Sequence, residues 1–143
     1  MNHPWTAHYP AGIPAEINPD TFASIPALFD EVAKTHGNRT AFVCLRKSIS
    51  YKEVNALSTR FAGYLQSLGL EPGDRVAVMM PNLTQYMIAL LGILRAGLIA
   101  VNVNPLYTAH ELAHQLKDSG AKAVVIIENF AKTLETALPE TEV

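Results

Sequence analysis

Two histidines and a glutamate stand in the run His110-Glu111-Leu112-Ala113-His114. On a helix, histidines four residues apart share a face and can grip zinc, while the glutamate takes a proton from a metal-bound water. That is metalloprotease chemistry, and it is the remotest of three readings of this chain. Thr108 and Glu111 have the spacing of a capping box, which commits the Glu111 carboxylate to the backbone and puts His110 in the first helical turn. At 100° per residue both histidines point about 160° away from the Leu112/Leu116 stripe, toward solvent. Glu128 and Glu135 are the only candidates for a third ligand, and neither has convincing spacing.

The other reactive side chains read as structure. Cys44, the only cysteine, falls in an apolar run with no histidine beside it, so a packed small hydrophobe is expected. Met79 and Met80 read as strand core, and His3, His8 and His36 have no ligand spacing. Arg95, just before the helix stop at Gly97, is expected to meet the last helical carbonyls. The glycine-rich dinucleotide fingerprint, the P-loop and the G-x-S-x-G elbow do not occur. No residue is therefore assigned a catalytic, cofactor-binding or metal-binding role.

The elements that must position these residues follow from periodicity. Residues 1–23 hold Pro4, Pro10, Pro14 and Pro19, too many for a helix or a central strand. Trp5, Tyr9, Ile13, Ile17 and Phe22 are spread among them. Such a segment is expected to lie across another surface, of the same chain or of a neighbour. Ser24 caps a helix to about His36, with Leu28, Phe29 and Val32 as its stripe and Gly37 as its stop. Residues 41–45 and 48–51 suggest a hairpin around Arg46-Lys47.

A strand–helix alternation follows. Ser50 and Glu53 form a capping box ahead of a helix with Val54, Leu57, Phe61, Leu65 and Leu68 on one stripe. Apolar runs at 76–80, 98–103 and 123–127 read as strands. Between the first two, Asn82 and Gln85 take the cap and third positions of a helix carrying Leu83, Tyr86, Met87, Leu90, Leu91 and Leu94. Thr108 opens the next helix, which stops at Gly120, and a last one runs from about Phe130 to Leu138. Runs that do not alternate are buried on both faces. The fold class is therefore α/β: a Rossmann-like parallel sheet with helices on both faces, plus an N-terminal helix and β-hairpin. Residues 1–23 form an irregular arm and 24–143 the α/β subdomain. Ligands of such sheets sit beyond the strands' carboxyl ends, here Pro81-Asn82, Asn104 to Tyr107 and Glu128-Asn129.

Composition narrows the classes. The 143 residues are 49% hydrophobic and 17% charged, with a formal charge of −2, which excludes a disordered chain. No long basic run marks a nucleic-acid binder. One thiol allows no internal disulfide and favours a reducing cytoplasm. The opening Met1-Asn2-His3-Pro4-Trp5 lacks the basic-then-apolar form of a signal peptide. A membrane span over residues 86–103 would place Arg95 near the bilayer centre at about 2.5–3.5 kcal/mol, so a buried helix and strand are expected instead.

Several segments resemble a known family. They are Gly73-Asp74-Arg75-Val76-Ala77-Val78-Met79-Met80-Pro81-Asn82, then Gly92 to Gly97, then Val101-Asn102-Val103-Asn104-Pro105-Leu106-Tyr107-Thr108, with Glu111-Leu112 and Asp118 to Ala121 behind them. With the opening Trp5, Tyr9-Pro10 and Glu16-Ile17-Asn18-Pro19, the whole chain resembles the N-terminal part of adenylate-forming enzymes, above all bacterial long-chain fatty acid–CoA ligases. The resemblance implies a long-chain fatty acid substrate, with ATP, Mg²⁺ and coenzyme A used through an acyl-adenylate. It also implies peripheral association with the inner face of the cytoplasmic membrane. The family's phosphate loop ending in Lys-Gly, its nucleotide motifs and its C-terminal lysine match no position here. The expectation is a domain fragment that is scaffold and inactive alone. The alternative from another class is an interaction module, with residues 1–23 and an open sheet edge forming a homodimer.

Overall fold

Ser24 Oγ accepts a hydrogen bond from the Ala27 N–H at 3.2 Å and opens α1 (Ile25–His36). Pro26 sits in the first turn, where its missing N–H would have no partner anyway. Phe29, Val32 and Ala33 face inward, whereas Leu28 is exposed. These features come from a computed structural model, which describes residues 3–143. Residues 3–23 hold two short 3₁₀ turns, Pro4–His8 and Pro19–Thr21, with no buried residue in either.

The hairpin is formed by β1 (Thr40–Cys44) and β2 (Lys47–Ser50), with Cys44 opposite Lys47 and Val43 opposite Ser48. Its two-residue turn is Leu45-Arg46, one position earlier than expected, with φ of +48° and +63°. A two-residue turn with both φ positive matches the strand twist, and Asn-Gly adopts it most easily. Side chains without that tolerance cost roughly 1–2 kcal/mol each in the left-handed region. Replacing Leu45-Arg46 with Asn-Gly is therefore expected to stabilise the protein by about 1 kcal/mol. Urea unfolding measures this, and an unchanged or lower midpoint would show that the turn carries no such strain.

Helix α2 (Tyr51–Ser67) starts directly from β2 through the anticipated capping box. Glu53 Oε2 accepts from the Ser50 N–H at 2.8 Å and from Ser50 Oγ at 2.6 Å. Its buried stripe is Val54, Ser58, Ala62 and Leu65: Val54 and Leu65 are as expected, while Ser58 and Ala62 take the places expected of larger side chains. Leu57 and Phe61 are half-buried and Leu68 is exposed. The stripe turns because α3 (Thr84–Arg95) approaches so closely that small residues must lie between the helices. Gly92 of α3 sits against Phe61 and the Ser58 carbonyl. On α3 itself the buried residues are Ala89, Leu91, Gly92 and Ile93, while Leu83, Tyr86, Met87, Leu90 and Leu94 are only half-buried.

Three strands make the main sheet in the order β4-β3-β5, with both pairings parallel. They are β3 (Arg75–Met79), β4 (Ile99–Val103) and β5 (Ala121–Ile126). Val76, Val78 and Met80 belong to one core with Ala62, Leu65 and Ile93. Ala77 and Met79 belong to the other, with Leu112 and Leu116 of α4 (Ala109–Ser119) and Ala137 of α5 (Ala131–Ala137). Helices thus cover both faces, as the unbroken apolar runs require. From β3 the chain steps to β4 through α3, then returns past β3 to β5 through α4 on the opposite face. Reversing direction while changing faces is what keeps one crossover hand.

Asp74 anchors the start of the sheet. Its carboxylate accepts from Lys122 Nζ at 2.7 Å and from the Glu71 N–H at 2.9 Å, and these bonds hold its pKa below the usual value. The Ser50 hydroxyl and N–H do the same for Glu53, and the Thr108 N–H and hydroxyl do so for Glu111. A folded-state pKa below the unfolded one gives stability that is present above the unfolded pKa and lost as pH falls through the folded one. Unfolding midpoints should therefore fall as pH drops below about 4–5. The triple variant D74N/E53Q/E111Q should start lower at pH 7 and fall less steeply. An equal slope would remove these groups from the acid response.

Candidate functional site

The carboxyl ends of the parallel strands meet three loops. After β3, Met80 is buried and Pro81 follows it into the loop. The expected Asn82 cap with Gln85 at the third position is not made: α3 begins at Thr84, its N-cap is Leu83, and no side chain caps it. Gln85 Oε1 instead accepts from the neighbouring Thr84 hydroxyl at 3.0 Å. The chain turns at Pro81-Asn82-Leu83 before it becomes helical, which places Asn82 one residue too early to cap. The Asn82 carbonyl accepts the Cys44 thiol at 3.8 Å, tying the hairpin to the β3 exit. Cys44 is half-buried there, less enclosed than a core residue.

The β4 exit is more built. Asn104 Oδ1 accepts from the Leu106 N–H at 3.0 Å, folding the loop into an Asx turn. Thr108 then caps α4, with Glu111 Oε2 accepting from the Thr108 N–H and hydroxyl, both at 2.8 Å. A bound anion at this helix terminus would face a carboxylate already in place. The terminus therefore does not fit a nucleotide phosphate. Above it, Asn102 links the two faces of the edge strand. Its Oδ1 accepts from the Tyr86 hydroxyl at 2.8 Å, and its carbonyl accepts from Gln115 Nε2 at 2.9 Å. Gln115 Oε1 is buried and has no partner among the described residues.

His110 and His114 are both exposed on the outer side of α4, in an open groove with Tyr107, Gln115 and Asp118. The glutamate between them serves the cap through Oε2, which accepts from the Thr108 N–H and hydroxyl. Among the described residues no group of three or more His, Cys, Asp or Glu side chains gathers to hold a metal ion. Met79 is fully buried in β3, and Met80, one residue past its end, is nearly so.

Arg95 behaves differently from its expectation. Rather than meeting the carbonyls that end α3, its guanidinium reaches across to α1 and α2. It donates to Asp30 Oδ1 at 2.6 Å, to Asn55 Oδ1 at 2.5 Å and to the buried Ser58 Oγ at 3.2 Å. The α3 end is closed instead by the backbone of Ala96 and Gly97. The partners lie 37 to 65 residues away in sequence, so no local pattern announces them.

The profile of one family, described as AMP-binding enzyme, matches residues 29–143. The chain belongs to the AMP-binding enzyme family. Its relatives include the long-chain-fatty-acid–CoA ligase of Salmonella typhimurium, 53% identical over the whole chain, which covers 26% of that protein. The ligase of the same name from Haemophilus influenzae is 48% identical, again over the whole chain and 26% of the relative. Among solved structures, a benzoate CoA ligase from Burkholderia xenovorans superposes with a TM-score of 0.78 at 28% identity, over 82% of this chain and 24% of that one. The chain thus spans about a quarter of the length of the curated relatives it matches.

In this member of the family, the segments that carry the resemblance fall on demanding structural positions. Gly73 to Asn82 supplies the Asp74 anchor, the central strand and its exit. Gly92 to Gly97 holds the helix contact, the Arg95 tie and the α3 stop. Val101 to Thr108 is the edge strand, its Asx turn and the α4 cap. No helix among the described residues is long and apolar enough to cross a membrane, and the Arg95 that argued against a span has a structural use.

Proposed function

We propose that this chain is the N-terminal α/β part of an ATP-dependent long-chain fatty acid–CoA ligase, with residues 1–23 as an arm and 24–143 as the subdomain. In the reaction, a fatty acid carboxylate oxygen attacks the α-phosphorus of ATP and pyrophosphate leaves. The coenzyme A thiol then attacks the acyl carbon, and AMP leaves with the electron pair of the broken acyl–oxygen bond. Mg²⁺ offsets the phosphate charge. This chain's part is to wall the site and support its sheet, and the protein associates peripherally with the cytoplasmic membrane. The observation that carries the reading is 53% identity to a long-chain-fatty-acid–CoA ligase along the entire chain. The carboxylate seated at the α4 N-terminus supports the scaffold role. Given oleate, ATP, Mg²⁺ and coenzyme A, the intact protein is expected to release pyrophosphate and form oleoyl-CoA. Turnover of benzoate but not oleate would overturn the substrate reading. Turnover by residues 1–143 alone would overturn the scaffold reading.

The described arm favours a second role as a homodimer contact. Trp5, Ile13 and Ile17 are all more than half exposed, at 55%, 57% and 85%. Light scattering on the intact protein with and without residues 1–23 tests this, and an unchanged mass would exclude it.

A further inference from the structure

Charge is unevenly divided along this chain. Residues 32–61 hold six of the eleven Lys and Arg and only one of the thirteen Asp and Glu, a formal +5 against −7 for the remainder. The six are Lys34, Arg39, Arg46, Lys47, Lys52 and Arg60, and all are exposed. Among the described residues none of them forms an ion pair, whereas Arg95, Lys117 and Lys122 each do. The hairpin within this stretch carries a second anomaly. Its tip shows Val43 at 69% and Leu45 at 85% exposure, beside Arg46 and Lys47. Leu45 also holds a positive φ that Asn or Gly would adopt more easily. A strained, solvent-facing leucine between strands is unfavourable for the fold taken alone, and strain of this kind points to use.

We propose that the β1–β2 hairpin tip docks on an anionic phospholipid surface, with Val43 and Leu45 entering the headgroup layer and Arg46 and Lys47 pairing with lipid phosphates. This gives the peripheral association proposed above a place on the chain, and it rests on that part of the reading only. One apolar or one basic signal alone holds a protein weakly on a membrane, and the tip supplies both. The hairpin is about 17 Å long, so Lys34, Arg39 and Lys52 near its base lie beyond the Debye length of about 8 Å at physiological salt. They steer the approach at low salt, while Arg46 and Lys47 hold the contact. Cys44 contacts the Asn82 carbonyl, so the docked tip adjoins the β3 exit, where ligands of parallel sheets bind.

Co-sedimentation of the intact protein with vesicles tests this, using phosphatidylcholine alone or with about 30% phosphatidylglycerol. Binding is expected only with the anionic lipid and should weaken with salt. R46E/K47E should lower partitioning about tenfold or more. L45N/R46G should lower it several-fold while raising the unfolding midpoint, a pairing that misfolding cannot produce. Wild-type protein that ignores anionic vesicles would overturn both this proposal and the peripheral association. Wild-type binding that both variants retain would overturn the hairpin assignment alone. A lowered midpoint for L45N/R46G with unchanged binding would likewise overturn it.

Discussion

Leucine at position 92 is expected to destabilise the protein by about 3 kcal/mol or more, enough to leave little folded at moderate urea. In an ordinary exposed helix, replacing glycine gains helical propensity, about 1 kcal/mol for alanine. Here the environment reverses the sign. A Cβ at Gly92 would lie 2.6 Å from Phe61 Cδ1, 3.2 Å from Phe61 Cβ and 3.1 Å from the Ser58 carbonyl oxygen. The ring edge can rotate, but the carbonyl belongs to the α2 backbone and moves only if the helix does. Alanine should therefore cost about 1–2 kcal/mol, and leucine must separate α2 from α3. That separation also pulls Ala62, Leu65, Ala89 and Ile93 out of the core they share with β3. A cycle with F61A identifies the cause. The double variant F61A/G92L should be less destabilised than the sum of the singles by at least about 1 kcal/mol. Strict additivity in urea unfolding would show that the Phe61 contact is not the obstacle.

The same contact explains what the sequence did and did not announce. The central strand was legible because burial on two faces leaves an uninterrupted apolar run, as in Val76 to Met80, whereas β4 and β5 were legible from their apolar runs although much of each is only half-buried here. Both capping boxes were legible because their partners are three residues apart. The stripes of α2 and α3 were only partly legible: Val54, Leu65 and Leu91 are buried as expected, but close helix approach also selects Ser58, Ala62, Ala89 and Gly92, whose side chains give almost no hydropathy signal. The hairpin turn moved by one residue because neither Leu45 nor Arg46 is a turn former. At the strand ends, the Thr108 cap was readable, and the structure forms it. The Tyr86–Asn102–Gln115 strip was not readable, because a crossover brings its members together from 13 and 16 residues apart. Pairings made by tertiary structure leave no period in the sequence.

Arg95 is where that limit matters most, and its replacement gives the second large effect. Methionine keeps much of the aliphatic bulk and removes the guanidinium, and R95M is expected to cost about 2–3 kcal/mol. The ion pair with Asp30 contributes little of this. Asp30 is half exposed, at 52%, against 13% for Arg95, so water screens the attraction. D30N should accordingly cost less than about 1 kcal/mol. The larger share comes from Asn55 and Ser58, whose oxygens lose a charged donor in a site that water enters poorly. Lysine cannot substitute, because one ammonium cannot reach three acceptors fixed on two helices in the way a planar fork does. R95K should thus recover less than half of the loss. Urea unfolding of R95M, R95K and D30N separates these contributions. If D30N matched R95M, the surface ion pair would be the source of the stability, and the clamp on α2 would not.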